Sequence, residues 1–159
     1  MTPTVQIDAS KALARFSQAG IPEAVRSNLR RMLPSLGKAV GASVEAKLDS
    51  KLKSRRSLTV RKEMVENPTA IYARINVMSS RNPLLPLWLE EGTKAHPIVA
   101  RNAPALAFFW ERMGRMMIVK SVMHPGTPAF GFMAETRAEM GPSIVSAITE
   151  AVRDGLRPQ

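Results

Sequence analysis

A chain of 159 residues and 17.4 kDa is most simply a single domain, long enough to bury a core without staples. Its 45% hydrophobic and 23% charged residues lie in the globular range, and the absence of cysteine excludes disulfides, thiolate zinc sites, iron–sulfur clusters and a cysteine nucleophile. The formal charge of +10 is one-sided: residues 11–62 hold 13 Lys/Arg against three acids, while the rest of the chain holds ten of each.

In chain order, a short β-like stretch over 4–7 precedes Asp8, a good N-cap for a helix over 9–19 that stops at Gly20. Pro22 suits the first turn of a second helix, whose apolar stripe is Val25, Leu29, Met32/Leu33, Leu36, Val40, Val44, Leu48 and Leu52. Pro34, Gly37 and Gly41 interrupt that stripe and predict a kink or break near residue 34. Arg26 and Arg30 lie one turn apart on another face.

After Ser54 the period changes to two. Leu58, Val60 and Met64 alternate with Thr59, Arg61 and Glu63. Beyond an Asn67-Pro68 turn, Ile71, Ala73, Ile75 and Val77 alternate with Tyr72, Arg74 and Asn76. This is the pattern of an antiparallel hairpin over 57–78 with one wet face. Pro83 and Pro86 open a short apolar turn or helix ending at Gly92. Strands are expected over 98–100, 106–110 and 116–122. A last helix over 129–156 carries Ile144, Ile148, Ala151 and Val152 on one face, with Thr136 and Glu139 at capping-box spacing and Gly141-Pro142 as a bend or restart. The methionines Met113, Met116, Met117 and Met123 cluster around the third strand, as core or as subunit interface. The expected fold is α+β: N-terminal helices (8–53) and a long C-terminal helix on a mainly antiparallel sheet, with strands and loops over 83–128.

No segment reads as membrane-spanning. The longest uncharged run, 121–134, has 14 residues and contains two prolines and two glycines, against about 20 apolar residues for a span. The opening MTPTVQIDASK lacks a basic start followed by an apolar stretch, so no signal peptide is expected.

The densest basic block sets Lys47, Lys51, Lys53, Arg55, Arg56, Arg61 and Lys62 against Asp49 alone. It reads either as a surface facing a polyanion, bound by charge and not by sequence, or as a solvated helix end and hairpin. No aromatic is interleaved to stack on bases.

Little supports catalysis. His96 and His124 each precede proline, and each lies near a Gly-Thr pair; they could meet in space, but no His/Asp/Glu cluster has ligand spacing. GxSxG, GxGxxG and GxxxxGK[ST] are absent. Glu90-Glu91 is the only adjacent acid pair, and a helix-end role suits it better than acid–base work. No enzyme activity, cofactor or metal is expected.

Trp88-Leu89-Glu90-Glu91-Gly92-Thr93 precedes Pro97-Ile98-Val99 and Asn102-Ala103-Pro104-Ala105-Leu106-Ala107-Phe108; a basic strand and His124-Pro125-Gly126-Thr127-Pro128-Ala129-Phe130 follow. This order over residues 85–135 resembles the minor tail-component family of long-tailed bacteriophages, whose members join heads to tails or complete the tail. Glu91 before the glycine and Phe130-Gly131-Phe132 at the last helix depart from the family pattern. The resemblance implies a virion structural protein at the head–tail junction: a homo-oligomeric, sixfold ring. It would meet head-closure, tail-terminator or tail-tube proteins, with genomic DNA in its lumen and assembly in the host cytoplasm. It also implies docking loops at Trp88, Glu90, Gly92, Thr93, His124, Pro125, Gly126, Thr127 and Phe130. The alternative is a small cytoplasmic protein that binds nucleic acid without sequence preference through the same basic block.

Overall fold

Two nine-residue runs carry the alternation, and both are strands. β2 (Leu58–Glu66) and β3 (Ile71–Ser79) pair antiparallel, with Val60 opposite Val77 and Met64 opposite Ala73. β1 (Thr4–Asp8) pairs antiparallel with the other edge of β3, so the sheet order is β1-β3-β2. The computed structural model describes residues 2–8, 20–52, 57–67 and 70–157. The helix expected over 9–19, and Lys53, Arg55, Arg56 and Pro68, lie outside the described residues; Asp8 is the last residue of β1.

Period two sends Val5, Ile7, Ile71, Ala73, Ile75 and Val77 to one face, where they are buried. The other face is polar. Thr4 hydrogen-bonds Asn76, whose amide donates to Glu63, and Arg74 lies over the Tyr72 ring, 3.8 Å from the Glu63 carboxylate.

Helix α1 (Glu23–Lys51) covers the buried face with Val25, Leu29, Leu33, Val40, Val44 and Leu48. It does not break at Pro34. Pro34 and Arg30, the residue whose carbonyl it leaves without a donor, are both exposed, so water can serve that carbonyl. Gly37 and Gly41 face the sheet, where a Cβ on Gly37 would lie 3.3 Å from that of Ala73 and one on Gly41 would overlap the Lys62 chain. The two glycines expected to weaken the helix let it approach the sheet.

Helix α3 (Phe132–Gly155) packs antiparallel along α1, adding Phe132, Met133, Ile148 and Val152 to the core. It too runs unbroken through its proline, Pro142. The capping-box reading fails: Thr136 lies inside the helix, fully buried, and its hydroxyl donates to the Phe132 carbonyl at 2.8 Å. The fold is α+β, with two helices on one face of an antiparallel sheet.

An ion cluster ties the hairpin's turn to α1. Arg30 grips Glu66 through Nε at 3.0 Å and a terminal nitrogen at 2.7 Å; Arg26 donates to the same carboxylate at 3.0 Å and to the Asn67 carbonyl at 3.1 Å. Hydrogen bonds from Arg30 and then Arg26 lower the Glu66 carboxyl from 4.5 to about 2. Since the folded value is the lower one, this stabilisation is full above pH 4.5 and is lost as pH falls through about 2. Urea unfolding across that window should show the native chain losing stability more steeply than Glu66→Gln; equal slopes would refute the role given to this cluster.

Candidate functional site

Between β3 and α3 the chain leaves the two-layer body and returns to it. Helix α2 (Leu85–Glu91) comes first. Two antiparallel ribbons follow: β4 (His96–Val99) with β7 (Ser121–His124), and β5 (Leu106–Trp110) with β6 (Arg115–Val119). The first of these strands starts two residues earlier than expected. The run 116–122 is two strands parted at Lys120, because the chain changes partner there from β5 to β4.

Both Gly-Thr pairs lie at the ribbon's root, and they lock together. Thr93 N–H donates to the Thr127 carbonyl at 2.8 Å, Thr127 N–H donates to the Thr93 carbonyl at 3.1 Å, and the Thr93 hydroxyl oxygen lies 3.0 Å from the Thr127 nitrogen. The glycine before each threonine makes this approach possible. A Cβ on Gly92 would lie 2.6 Å from the Thr127 carbonyl oxygen, and one on Gly126 would lie 2.2 Å from that of Thr93. Both glycines take positive φ, 75° and 91°.

A second layer fastens this clasp to the body. Phe130 N–H donates to the Leu89 carbonyl at 2.8 Å and Gly131 N–H to that of Glu90 at 3.1 Å. The Glu90 carboxylate then accepts from the first-turn N–H groups of α3, Met133 and Ala134, at 2.9 Å each. Gly131, at the N-cap position, has no side chain to offer, and Glu90 serves from α2 instead. Glu90→Ala should therefore destabilise the protein by about 1–2 kcal/mol, and Glu90→Gln by less, since the amide keeps one acceptor. Chemical denaturation of both variants checks the order; an unchanged midpoint for Glu90→Ala would remove the capping role.

His96 and His124 do meet: they face each other across β4 and β7, ring centroids 5.1 Å apart. His124 Nδ1 accepts from Gly126 N–H at 3.0 Å, and His96 Nδ1 lies 2.9 Å from the Lys94 carbonyl. These partners put the neutral proton of His124 on Nε2 and that of His96 on Nδ1. His124 thus has no lone pair free for a metal without losing its bond to the clasp. Among the described residues no group of three or more His, Asp or Glu could hold a metal ion.

The expected docking residues divide by what they touch. Glu90, Gly92, Thr93, Gly126, Thr127 and Phe130 hold one another and α3, whereas Trp88 and Pro125 are exposed. The exposed apolar surface lies further out. On the ribbons Val99, Phe109, Met116, Met123 and Ile118 are 54%, 57%, 59%, 65% and 74% exposed. Met113, Met116 and Met123 are therefore not core, in contrast to Met133. Sequence reasoning missed Phe109 and Ile118, although a signal existed: LAFFW and RMMIV lack period-two alternation. In β5–β6, Leu106, Phe108, Met117 and Val119 share one face while Ala107, Phe109, Met116 and Ile118 share the other, so both faces are apolar.

Of the basic block, Lys47, Lys51, Arg61 and Lys62 are among the described residues, and three of these four are paired with carboxylates. Lys47 pairs with Glu139; Lys51 pairs with Glu135 and donates to the Phe130 carbonyl; Lys62 is 3.2 Å from Glu45. These lysines join α1 to α3 and to β2, and Arg61 stands exposed on the polar face of the sheet.

Among the described residues no helix is long and apolar enough to cross a membrane. Comparison with protein families, with curated proteins and with solved structures finds no match to this chain.

Proposed function

We propose that the chain is a structural subunit of a tailed-phage virion, a ring component at the head–tail junction that completes the tail or connects it to the head. The observation that carries this reading is the β5–β6 ribbon, apolar on both faces and carried beyond the β4–β7 ribbon whose root the Gly-Thr clasp closes. An isolated two-stranded ribbon is at best marginally stable in water, and so large an exposed apolar surface marks a contact with other chains. The resemblance of residues 85–135 to the phage tail-component family supports the same reading, because two of its motifs, the Gly92-Thr93 turn and the His124–Phe130 loop, supply the residues that build the clasp. The partners are further copies in a closed ring, sixfold by that resemblance, and the head-closure, tail-terminator or tail-tube proteins next to it. Genomic DNA would pass through the lumen.

Nucleic-acid binding by the basic block is the weaker reading, since Lys47, Lys51 and Lys62 already have carboxylate partners. Light scattering at physiological and at high salt tests the choice. A ring, or a concentration-dependent climb towards one at both salts, is expected. A monomer at micromolar concentration that holds DNA at physiological salt and releases it at high salt would overturn the proposal.

A further inference from the structure

We propose that the β5–β6 hairpin of one copy seats its outer face in the cleft between β1 and α3 of the next copy. This deepens the ring reading above and rests on it. The outer face is compact: Phe109 lies opposite Met116, and Ala107 lies opposite Ile118 one pair further along. The exposed large side chains of the two ribbons are Ile98, Val99, Phe109, Trp110, Met113, Met116, Ile118 and Met123. With about half of a side chain of roughly 150–250 Å² open at each of the eight, the two ribbons together present on the order of 800 Å², the area each partner contributes to a standard stable interface, and the outer face of β5–β6 supplies its share through Phe109, Met116 and Ile118.

The occupant of this surface is protein and not lipid. Among the described residues β5 and β6 pair as strands only with each other, so the outer edge of each carries backbone groups with no strand partner there. A protein partner or water can satisfy those groups, whereas hydrocarbon cannot.

The same chain offers a matching receptor. A cleft of about 400 Å³ lies between β1 and α3, lined by Val5, Ile7, Val40, Ile144, Val145 and Ile148. Val145 on its rim is 64% exposed. Other cavities suit a basic apolar arm less well. One is smaller, about 190 Å³, and sets three cations, Lys38, Lys62 and Arg74, against Glu63 on its rim. Two more are lined largely by charged and polar residues. Charge adds register. Glu111 at the hairpin tip is the only acid between residues 94 and 124, and among the described residues Arg137 is the only charged one lining the cleft. An arm and a cleft at different places on one surface make a head-to-tail contact, the kind that closes into rings.

The cysteine-free chain allows a direct test. Ile118→Cys and Val145→Cys are made as separate single variants, mixed, and oxidised under native conditions, while light scattering follows assembly. A disulfide-linked dimer containing one of each variant, formed in excess over either homodimer, is the expected result. Glu111→Arg should weaken self-association by roughly tenfold, and Arg137→Glu in the same chain should restore it. Assembly without the mixed disulfide and without charge rescue would overturn the arm-in-cleft contact while leaving the ring. A chain that stays monomeric and unlinked would overturn both. Binding of that monomer to anionic phospholipid vesicles would assign the ribbon to lipid instead.

Discussion

Gly126→Ala is expected to open the clasp and cost about 3 kcal/mol or more. The added methyl would lie 2.2 Å from the Thr93 carbonyl oxygen and 3.0 Å from the Lys94 carbonyl carbon, both of them backbone atoms. That oxygen cannot retreat without lengthening its bond from Thr127 N–H. At φ 91° the alanine also carries the left-handed penalty of about 1–2 kcal/mol, and displacing a paired backbone adds a lost hydrogen bond or two. Gly114→Ala is the control. Gly114 sits at the tip of the β5–β6 hairpin with φ 61°, and a methyl there would have no atom within 4 Å, so only the conformational cost of about 1 kcal/mol applies. Amide hydrogen exchange separates local from global effects: in Gly126→Ala the Thr93 and Thr127 amides should lose protection while those of β3 keep most of theirs. If Gly126→Ala and Gly114→Ala shift the unfolding midpoint equally, the close approach is not what glycine provides at position 126.

The clasp also shows where sequence reading reaches its limit. Local patterns were enough for the β2–β3 hairpin, because each alternating residue reports its own face. They were enough for the large apolar side chains of the α1 stripe, Val25, Leu29, Leu33, Val40, Val44 and Leu48, but not for Gly37 and Gly41, which are buried on the same face. Continuity through Pro34 was not readable, since it depends on Pro34 and Arg30 both lying on the exposed side of the helix, which only packing against the sheet decides. The division of 116–122 into two strands at Lys120 depends likewise on a change of partner.

The site was legible in its parts and not in their relation. Two Gly-Thr pairs 34 residues apart could be noticed, but nothing local says that each glycine makes room for the other threonine's carbonyl. Glu90 belongs to a helix end, as its neighbourhood suggested; the helix it caps is α3, 43 residues away from it in sequence at Met133. Lys47 and Lys51 look like free cations because Glu139 and Glu135, their partners, lie 92 and 84 residues further on. In each case the missing information is a long-range pairing, and the consequence is the same: residues that read as outward-facing hold the molecule together. The outward surface belongs to Phe109, Met116 and Ile118, whose missing alternation was the available clue.

Phe132→Ala is expected to have the other large effect, a loss of about 3–5 kcal/mol, which is a major fraction of the roughly 5–15 kcal/mol that holds a domain of this size. Among the described residues Phe132 is the largest fully buried side chain, and it is the first residue of α3, directly after the clasp's last backbone bond at Gly131. Its removal leaves a cavity at the place where clasp, α1 and α3 converge, and the neighbours cannot collapse into it. Gly131 is tied to the Glu90 carbonyl, and Met133 and Ala134 are tied to the Glu90 carboxylate. Phe130, two residues earlier, is only half-buried and packs at the margin of the core, so Phe130→Ala should cost clearly less. Urea unfolding of the two variants checks the contrast. A cost for Phe130→Ala that matches or exceeds that for Phe132→Ala would mean that the clasp depends on the loop before the helix, and the core would not be what anchors it.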